Sequence, residues 1–133
     1  MTCFLLDTDT ASRVMRAERP TVSRMRRAGA TDISISAVSQ SELLFGAQID
    51  TAPANEMSRV RRFLLRVAVR EWDWHAAEHH AQIRAASRRA GRSAGVYDIM
   101  IAAHARALGA ILVTSDQAIA NLRIPGLMLD NWA

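Results

Sequence analysis

The stretch GVYDIMIAAHARALGAILVTSD, residues 95–116, decides the fold class of this chain. Residues 97–108 are predicted to form an alanine-rich helix, which Gly109 ends. The apolar segment AILVTS, residues 110–115, then predicts a short buried strand that stops beside Asp116. A helix that leads directly into such a strand is typical of proteins in which helices alternate with parallel strands.

The rest of the chain continues this alternation. Further strands are predicted at CFLLD (3–7), DISIS (32–36), VAVREW (67–72) and IPGLMLDNW (124–132). Helices are predicted over 10–27 with an interruption near Pro20, and over 37–49, 57–65 and 73–90, whereas TAPANE (51–56) is predicted to be a turn. The pattern predicts one α/β domain over residues 1–133, with a short, mostly parallel central sheet flanked by helices in three layers.

The composition restricts the chemistry. All 17 basic residues are arginine, and the formal net charge is +4. The lack of lysine excludes a mechanism that needs a lysine nucleophile or a lysine phosphate clamp. Arginine binds phosphate and carboxylate well, so a basic surface suits RNA, DNA or an acidic protein segment, although codon bias alone can also produce it.

The chain shows no feature of export or membrane insertion. Its single cysteine, Cys3, excludes an internal disulfide. No run of 18 apolar residues exists, and the N-terminus lacks the basic segment of a signal peptide. We therefore expect a soluble, cytoplasmic protein with no membrane contact.

Four acidic residues are expected to meet at one edge of the sheet. Asp7 closes the first predicted strand, and Asp116 follows the fourth. Glu42 lies early in the helix after the second strand, and Asp98 opens the helix before the fourth. Functional groups in parallel sheets collect beyond the carboxyl ends of the strands. Two carboxylates about 4 Å apart repel by about 4 kcal/mol at an effective dielectric of 20. Such a cluster therefore requires a cation, a proton or an arginine.

Each acid also has a purely structural interpretation. Asp7 and Asp116 are suitable helix caps, and Asp98 suits the first turn of its helix. Glu42 would belong to a capping box if its helix began at Ser39, but would lie beyond the first turn if Ser36 were the cap.

Two other kinds of site are disfavoured. A phosphatase of the haloacid-dehalogenase type would use Asp7 as nucleophile and Asp9 as acid and base, but neither a lysine nor an adjacent acidic pair follows Ser115. The segment HAAEH, residues 75–79, matches an inverted zinc-protease motif. No later glutamate exists to complete that zinc site.

Taken together, the motifs resemble those of PIN-domain ribonucleases, and specifically of VapC-type toxins from bacterial toxin–antitoxin pairs. The resemblance covers essentially the whole chain. It rests on FLLDTDTAS (4–12), ISAVSQSELLFGA (35–47), GVYDIMIAAHARALGAILVTSD (95–116) and IPGLMLDNW (124–132). Asp9 departs from the family pattern, which usually has asparagine there.

The resemblance implies a Mg²⁺- or Mn²⁺-dependent endoribonuclease that hydrolyses RNA phosphodiester bonds. Asp7, Glu42, Asp98 and Asp116 would be its catalytic, metal-binding residues. It also implies inhibition by a cognate VapB-type antitoxin, a homodimer, and a heterotetramer or larger assembly with that antitoxin. The alternative is a catalytically silent PIN-fold module that binds nucleic acid.

Other polar residues are accessory candidates. Thr8 and Ser115 flank the acids and could hold a water molecule or a phosphate oxygen. Asp9 is expected to cap the first helix rather than to add a fifth charge. Arg84, Arg88 and Arg92 recur every four residues on one predicted helix face, where they could bind RNA phosphates or remain solvated.

Overall fold

The computed structural model describes residues 2–29 and 32–133. Its strands and helices are, in chain order, β1 (Phe4–Leu6), α1 (Thr8–Met15), α2 (Arg19–Arg27), β2 (Ile33–Ser36), α3 (Ala37–Gln48), α4 (Pro53–Leu64), β3 (Ala68–Arg70), α5 (Trp74–Arg89), α6 (Val96–Leu108), β4 (Ile111–Val113), α7 (Gln117–Asn121) and β5 (Met128–Asp130). The predicted alternation of short strands and helices is therefore confirmed.

The five strands form one parallel sheet in the order β3-β2-β1-β4-β5. In the central strand β1, Leu5 pairs with Ser34 of β2 and with Leu112 of β4. The chain moves outward from β1 to β2 and β3 on one side, and to β4 and β5 on the other. The strand order thus reverses between β1 and β4, and the carboxyl ends of strands at such a switch point form the usual crevice for functional groups.

Side chains of the strands alternate between two buried cores, one on each face of the sheet. Leu6 and Val113 pack on the face covered by α3 and α4, with Leu43. Leu5 and Leu112 pack on the opposite face, which α6 and α7 cover. Burying one such side chain stabilises the fold by about 1.5–3 kcal/mol. Helices cover both faces of the sheet, as the three-layer α/β prediction requires.

Helix α6 packs closely against the sheet and along α5. Ala102, Ala103 and Ala105 are fully buried, and their small side chains permit this close approach. His104 is also buried, and its Nδ1 lies 2.8 Å from Oγ of Ser36, the N-cap residue of α3. This contact links the helix that carries Asp98 to the helix that carries Glu42.

The longest mainly apolar segment of the sequence, residues 99–113, contains His104 and Arg106 and is divided between α6 and β4. Within residues 2–29 and 32–133, no helix has both the length and the apolar character needed to cross a membrane.

Several predicted boundaries are wrong, and the last strand, Met128–Asp130, is much shorter than IPGLMLDNW. The segment 51–56 is not all turn, because α4 already begins at Pro53, and proline is favourable in the first turn of a helix. The third strand is shorter than VAVREW and ends at Arg70. Helix α1 begins at Thr8, two residues before the predicted start, because Asp7 caps it.

Candidate functional site

Asp7 and Asp116 stand at the carboxyl ends of the neighbouring strands β1 and β4, where both cap helices. Oδ1 of Asp7 accepts a hydrogen bond from the Thr10 backbone N–H at 2.8 Å, and Oδ1 of Asp116 accepts one from the Ala118 N–H at the same distance. The structural interpretation of both residues is therefore correct. It does not exclude a second role, because each of these bonds uses only one carboxylate oxygen.

Glu42 lies in the second turn of α3 and is held by a threonine of the neighbouring helix. Ser36 rather than Ser39 caps α3, so the capping-box alternative is wrong. Thr8 Oγ1 donates a hydrogen bond to Glu42 Oε1 at 2.5 Å. Thr8 Oγ1 also lies 3.1 Å from Ser39 Oγ, which acts as the donor there because Thr8 has only one hydroxyl hydrogen. Thr8, predicted as an accessory residue, thus orients a carboxylate.

Asp98 is the most electrostatically perturbed member of the group. It lies in the first turn of α6, as predicted. Burial raises its pKa, and the negative charges of Asp116, Glu42 and Asp7 raise it further, to about 6. A hydrogen bond to Asp116 adds to the effect by favouring the protonated form. The structure therefore brings the four predicted acids into one electrostatic neighbourhood.

The four carboxylates are not preorganised as a metal-binding site. Within residues 2–29 and 32–133, no three His, Cys, Asp or Glu side chains are arranged to hold a metal ion together. Asp7, Asp116 and Glu42 each use one carboxylate oxygen in the hydrogen bonds described above. A cation would therefore bind the carboxylate oxygens that these bonds leave free.

The donor set nevertheless suits a hard divalent cation. The group offers only carboxylate oxygens, which Mg²⁺ and Mn²⁺ prefer, and no thiol or imidazole. None of the ion pairs formed by the described part of the chain involves one of these four acids. The negative charge at this edge of the sheet is thus not neutralised by an arginine, and the raised pKa of Asp98 reflects that excess.

The other accessory candidates differ in their positions. Asp9 is exposed inside the first turn of α1, so the expectation that it caps this helix is wrong; Asp7 takes that position. Ser115 is partly buried beside Asp116. The hydroxyl that shapes this turn belongs to Thr114, whose Oγ1 accepts a hydrogen bond from the Asp116 N–H at 3.0 Å.

One supporting residue was missed from the sequence. Thr10 is buried, and its Oγ1 donates a hydrogen bond to the Val113 carbonyl at 3.1 Å. The Asp7 N–H also donates to that carbonyl, at 3.0 Å. These two bonds fasten the start of α1 to the end of β4 and fix the spacing of the two capping aspartates. The only sequence signal was a threonine three residues after Asp7.

The predicted arginine series lies along one cleft of about 580 Å³, which Arg84, Arg88 and Arg92 line together with Ile99 of α6. Arg92 is not on the helix, because α5 ends at Arg89, and the regular four-residue spacing is therefore misleading. All three side chains are nevertheless exposed at the same cleft, which leads toward the first turn of α6.

The histidines of the HAAEH segment are engaged elsewhere. His79 Nδ1 accepts a hydrogen bond from Arg106 Nε at 2.9 Å. The ring of His75 stacks on Trp74 with a centroid distance of 3.7 Å. Both histidine rings therefore contact neighbouring side chains.

Comparison with known proteins identifies the fold. A PIN-domain family model matches residues 4–125. The tRNA(fMet)-specific endonuclease VapC of Salmonella typhimurium is 33% identical over 129 residues, which cover 97% of each protein. A crystal structure of DNA-bound VapBC from Salmonella typhimurium superposes over 100% of both chains with a TM-score of 0.91 at 33% identity. VapBC2 from Rickettsia felis, bound to a promoter DNA fragment, covers 99% of this chain and 100% of its own with a TM-score of 0.90 at 25% identity. The chain therefore belongs to the PIN-domain family and, within it, to the VapC group.

Proposed function

We propose that this protein is the toxin of a toxin–antitoxin pair and that it is a metal-dependent endoribonuclease. The observation that carries this proposal is the convergence of four acids at the switch point of the sheet, where the charges of three of them act on the partly buried Asp98 and raise its pKa. Perturbed acids in a crevice are typical of catalytic sites. The VapC relative is a tRNA(fMet)-specific endonuclease, which supports RNA as the substrate class.

Asp7, Glu42, Asp98 and Asp116 would hold Mg²⁺ or Mn²⁺. When bound, such an ion stabilises charge that develops on the phosphate and lowers the pKa of water. The protein holds these acids in place. The N-cap hydrogen bonds fix Asp7 and Asp116, and the Thr8 hydroxyl fixes Glu42. Hydrolysis requires no side chain of the protein to become covalently attached.

Thr8 should be important for turnover because it orients Glu42. We expect Thr8→Val to lower RNA cleavage by about tenfold, since residues that orient metal ligands typically contribute about 10- to 100-fold. Thr8→Ser keeps the hydroxyl and should retain most of the activity. Steady-state cleavage rates of the two variants, with their thermal unfolding as a control, test this. Equal rates for Thr8→Val and Thr8→Ser would show that the hydrogen bond is unimportant.

The arginine cleft is the proposed path for the RNA backbone. Neutralising phosphate charge releases counterions, so binding of a single strand weakens with salt in proportion to the number of contacts. Arg84 and Arg88 are exposed on the cleft wall and carry this charge next to the helix that bears Asp98.

Replacing Arg84 and Arg88 together with alanine should weaken RNA binding and flatten its salt dependence. The slope of log affinity against log salt should fall by roughly 0.7 for each arginine. Binding can be measured without cleavage in an Asp98→Asn background. Replacing Arg61 and Arg62 together with alanine, on the exposed face of α4, removes the same charge outside the cleft and should leave the slope unchanged. An equal effect of this control would assign the binding to overall charge rather than to the cleft.

The proposed inhibitor is a VapB-type antitoxin, because the similar solved structures are VapBC complexes. A guanidinium group from such a partner would neutralise the acidic site by the same charge pairing as a cation. We also propose a homodimer, and a heterotetramer or larger assembly with the antitoxin. Phe45 of α3 and Ile49, which directly follows α3, are 63% and 68% exposed and are candidates for a subunit contact. Light scattering with and without the antitoxin measures both assemblies.

The competing proposal is a catalytically silent module that binds nucleic acid through its arginines. The experiment that separates the two is cleavage of RNA and of a matched DNA by purified, antitoxin-free protein, with Mg²⁺, with Mn²⁺ and with a chelator. Cleavage of RNA that needs metal supports the nuclease. Binding of RNA without any cleavage supports the silent module.

A further inference from the structure

The carboxylate of Asp98 lies directly against Gly95, the N-cap residue of α6. A β-carbon added to residue 95 would lie 2.6 Å from Asp98 Oδ2 and 3.4 Å from Asp98 Cγ. Non-bonded heavy atoms pack favourably at about 3.5–4.0 Å, so the first of these contacts is not tolerable. The obstructing atoms belong to the end of a side chain, so the carboxylate would have to move.

The backbone of Gly95 gives no reason for a glycine. Its φ of −59° and ψ of 145° suit any residue. Gly91 and Gly109, in contrast, have φ values of +66° and +65°, which favour glycine on conformational grounds. What distinguishes Gly95 is the space that its missing side chain leaves for a neighbouring carboxylate.

We propose that Gly95 is a positioning residue for the nuclease reaction. By leaving room above its α-carbon, it allows Asp98 to face Asp116 and the other acids. This inference rests on the proposed function. A misplacement of about 1 Å in an active site can cost about 100-fold in rate, so the displacement forced by one methyl group is enough to be measured.

Two substitutions test the proposal. Gly95→Ala and Gly95→Ser should each lower kcat by about tenfold or more, with KM for RNA changing much less, because the reacting groups and not the RNA path are disturbed. Serine is among the best N-cap residues, so Gly95→Ser should unfold at or above the temperature of the wild-type protein. A merely structural role for residue 95 would leave this stable variant fully active.

Gly46→Ala is the matched control. Gly46 lies in α3, and no heavy atom lies within 4 Å of a β-carbon added there. This variant should keep wild-type kcat and unfold at the same or a higher temperature, because alanine is favoured over glycine inside helices.

A measurement that does not depend on RNA cleavage distinguishes a failure of this proposal from a failure of the proposed function. Three-bond NMR couplings report χ1 of Asp98, which should change in Gly95→Ala and stay the same in Gly46→Ala. The proposal is overturned if χ1 is unchanged in Gly95→Ala, or if both Gly95 variants turn over within twofold of an active wild-type protein. If the wild-type protein cleaves no RNA, the proposed function fails, and χ1 alone decides whether Gly95 sets the position of Asp98.

Discussion

Asp98→Asn is expected to abolish most RNA cleavage while preserving the fold. Even residues that only support metal ligands typically cost about 10- to 100-fold when changed, so loss of a candidate ligand should cost at least about 100-fold. Asparagine has nearly the same shape as aspartate, but it removes the charge and replaces one acceptor oxygen with an NH2 donor. Initial rates at saturating Mg²⁺ or Mn²⁺, with circular dichroism to confirm folding, measure the effect.

Asp50→Asn provides the matched control for Asp98→Asn. Asp50 is exposed after α3, and its Oδ2 accepts a hydrogen bond from the Ala52 N–H at 2.9 Å, a bond that asparagine can also accept. Its replacement removes the same charge and should leave the rate unchanged. Cleavage that persists in Asp98→Asn and in the presence of a chelator would contradict the metal mechanism and indicate a contaminating nuclease.

The same substitution should stabilise the protein when no metal is present. Burial and the neighbouring acids raise the pKa of Asp98 to about 6, whereas the unfolded value is 3.8. Between about pH 4 and pH 6 the folded protein keeps a proton that the unfolded chain has released. The folded state therefore binds more protons, and the contribution of Asp98 to the free energy of unfolding falls as pH rises through this window.

The size of this effect can be estimated from the pKa difference. A rise from 3.8 to about 6 corresponds to at most about 3 kcal/mol. Because Asp98 is only partly buried, solvent screening reduces this to about 1–2 kcal/mol. Urea unfolding with a chelator should show Asp98→Asn to be more stable than the wild-type protein at pH 7.5, with little difference near pH 4.

Two comparisons make the stability prediction specific. Asp50→Asn should show no such pH-dependent difference, and the variant-minus-wild-type difference cancels the titration of groups that do not interact with Asp98. Added Mn²⁺ should stabilise the wild-type protein more than Asp98→Asn, because ligand that binds only the folded state stabilises it. An Asp98→Asn protein less stable than wild type at pH 7.5 in chelator would show that the carboxylates do not repel one another.

The fold was largely predictable because its signals are local and repeated. Short apolar runs, each followed by a helical segment, predict parallel strands whatever their order. The start of α4 was not predictable from a cap, because Ala52 offers no side chain to accept a hydrogen bond there. Pro53, the next residue, suits both a turn and the first turn of a helix, so it does not decide between them.

The four acids of the candidate site could be predicted from the sequence, but the arrangement of their side chains could not. The choice between Ser36 and Ser39 as the cap of α3 depends on tertiary contacts, with Thr8 and His104, which no local pattern contains. The capping and catalytic interpretations of Asp7 are compatible, because one carboxylate oxygen can cap the helix while the other binds a ligand. The contact between Asp98 and Gly95 depends on a side-chain rotamer, which sequence spacing does not specify.

The position of β1 between β2 and β4 also joins acids that lie far apart along the chain. Asp116 leaves the ribosome 109 residues after Asp7 (116 − 7), and the two meet only when β4 has paired with β1. Contacts between residues so far apart in sequence form late in folding. A nascent chain that stops before β4 would carry only three of the four acids proposed for the metal site. The strand order thus delays assembly of the proposed site until β4 has been synthesised.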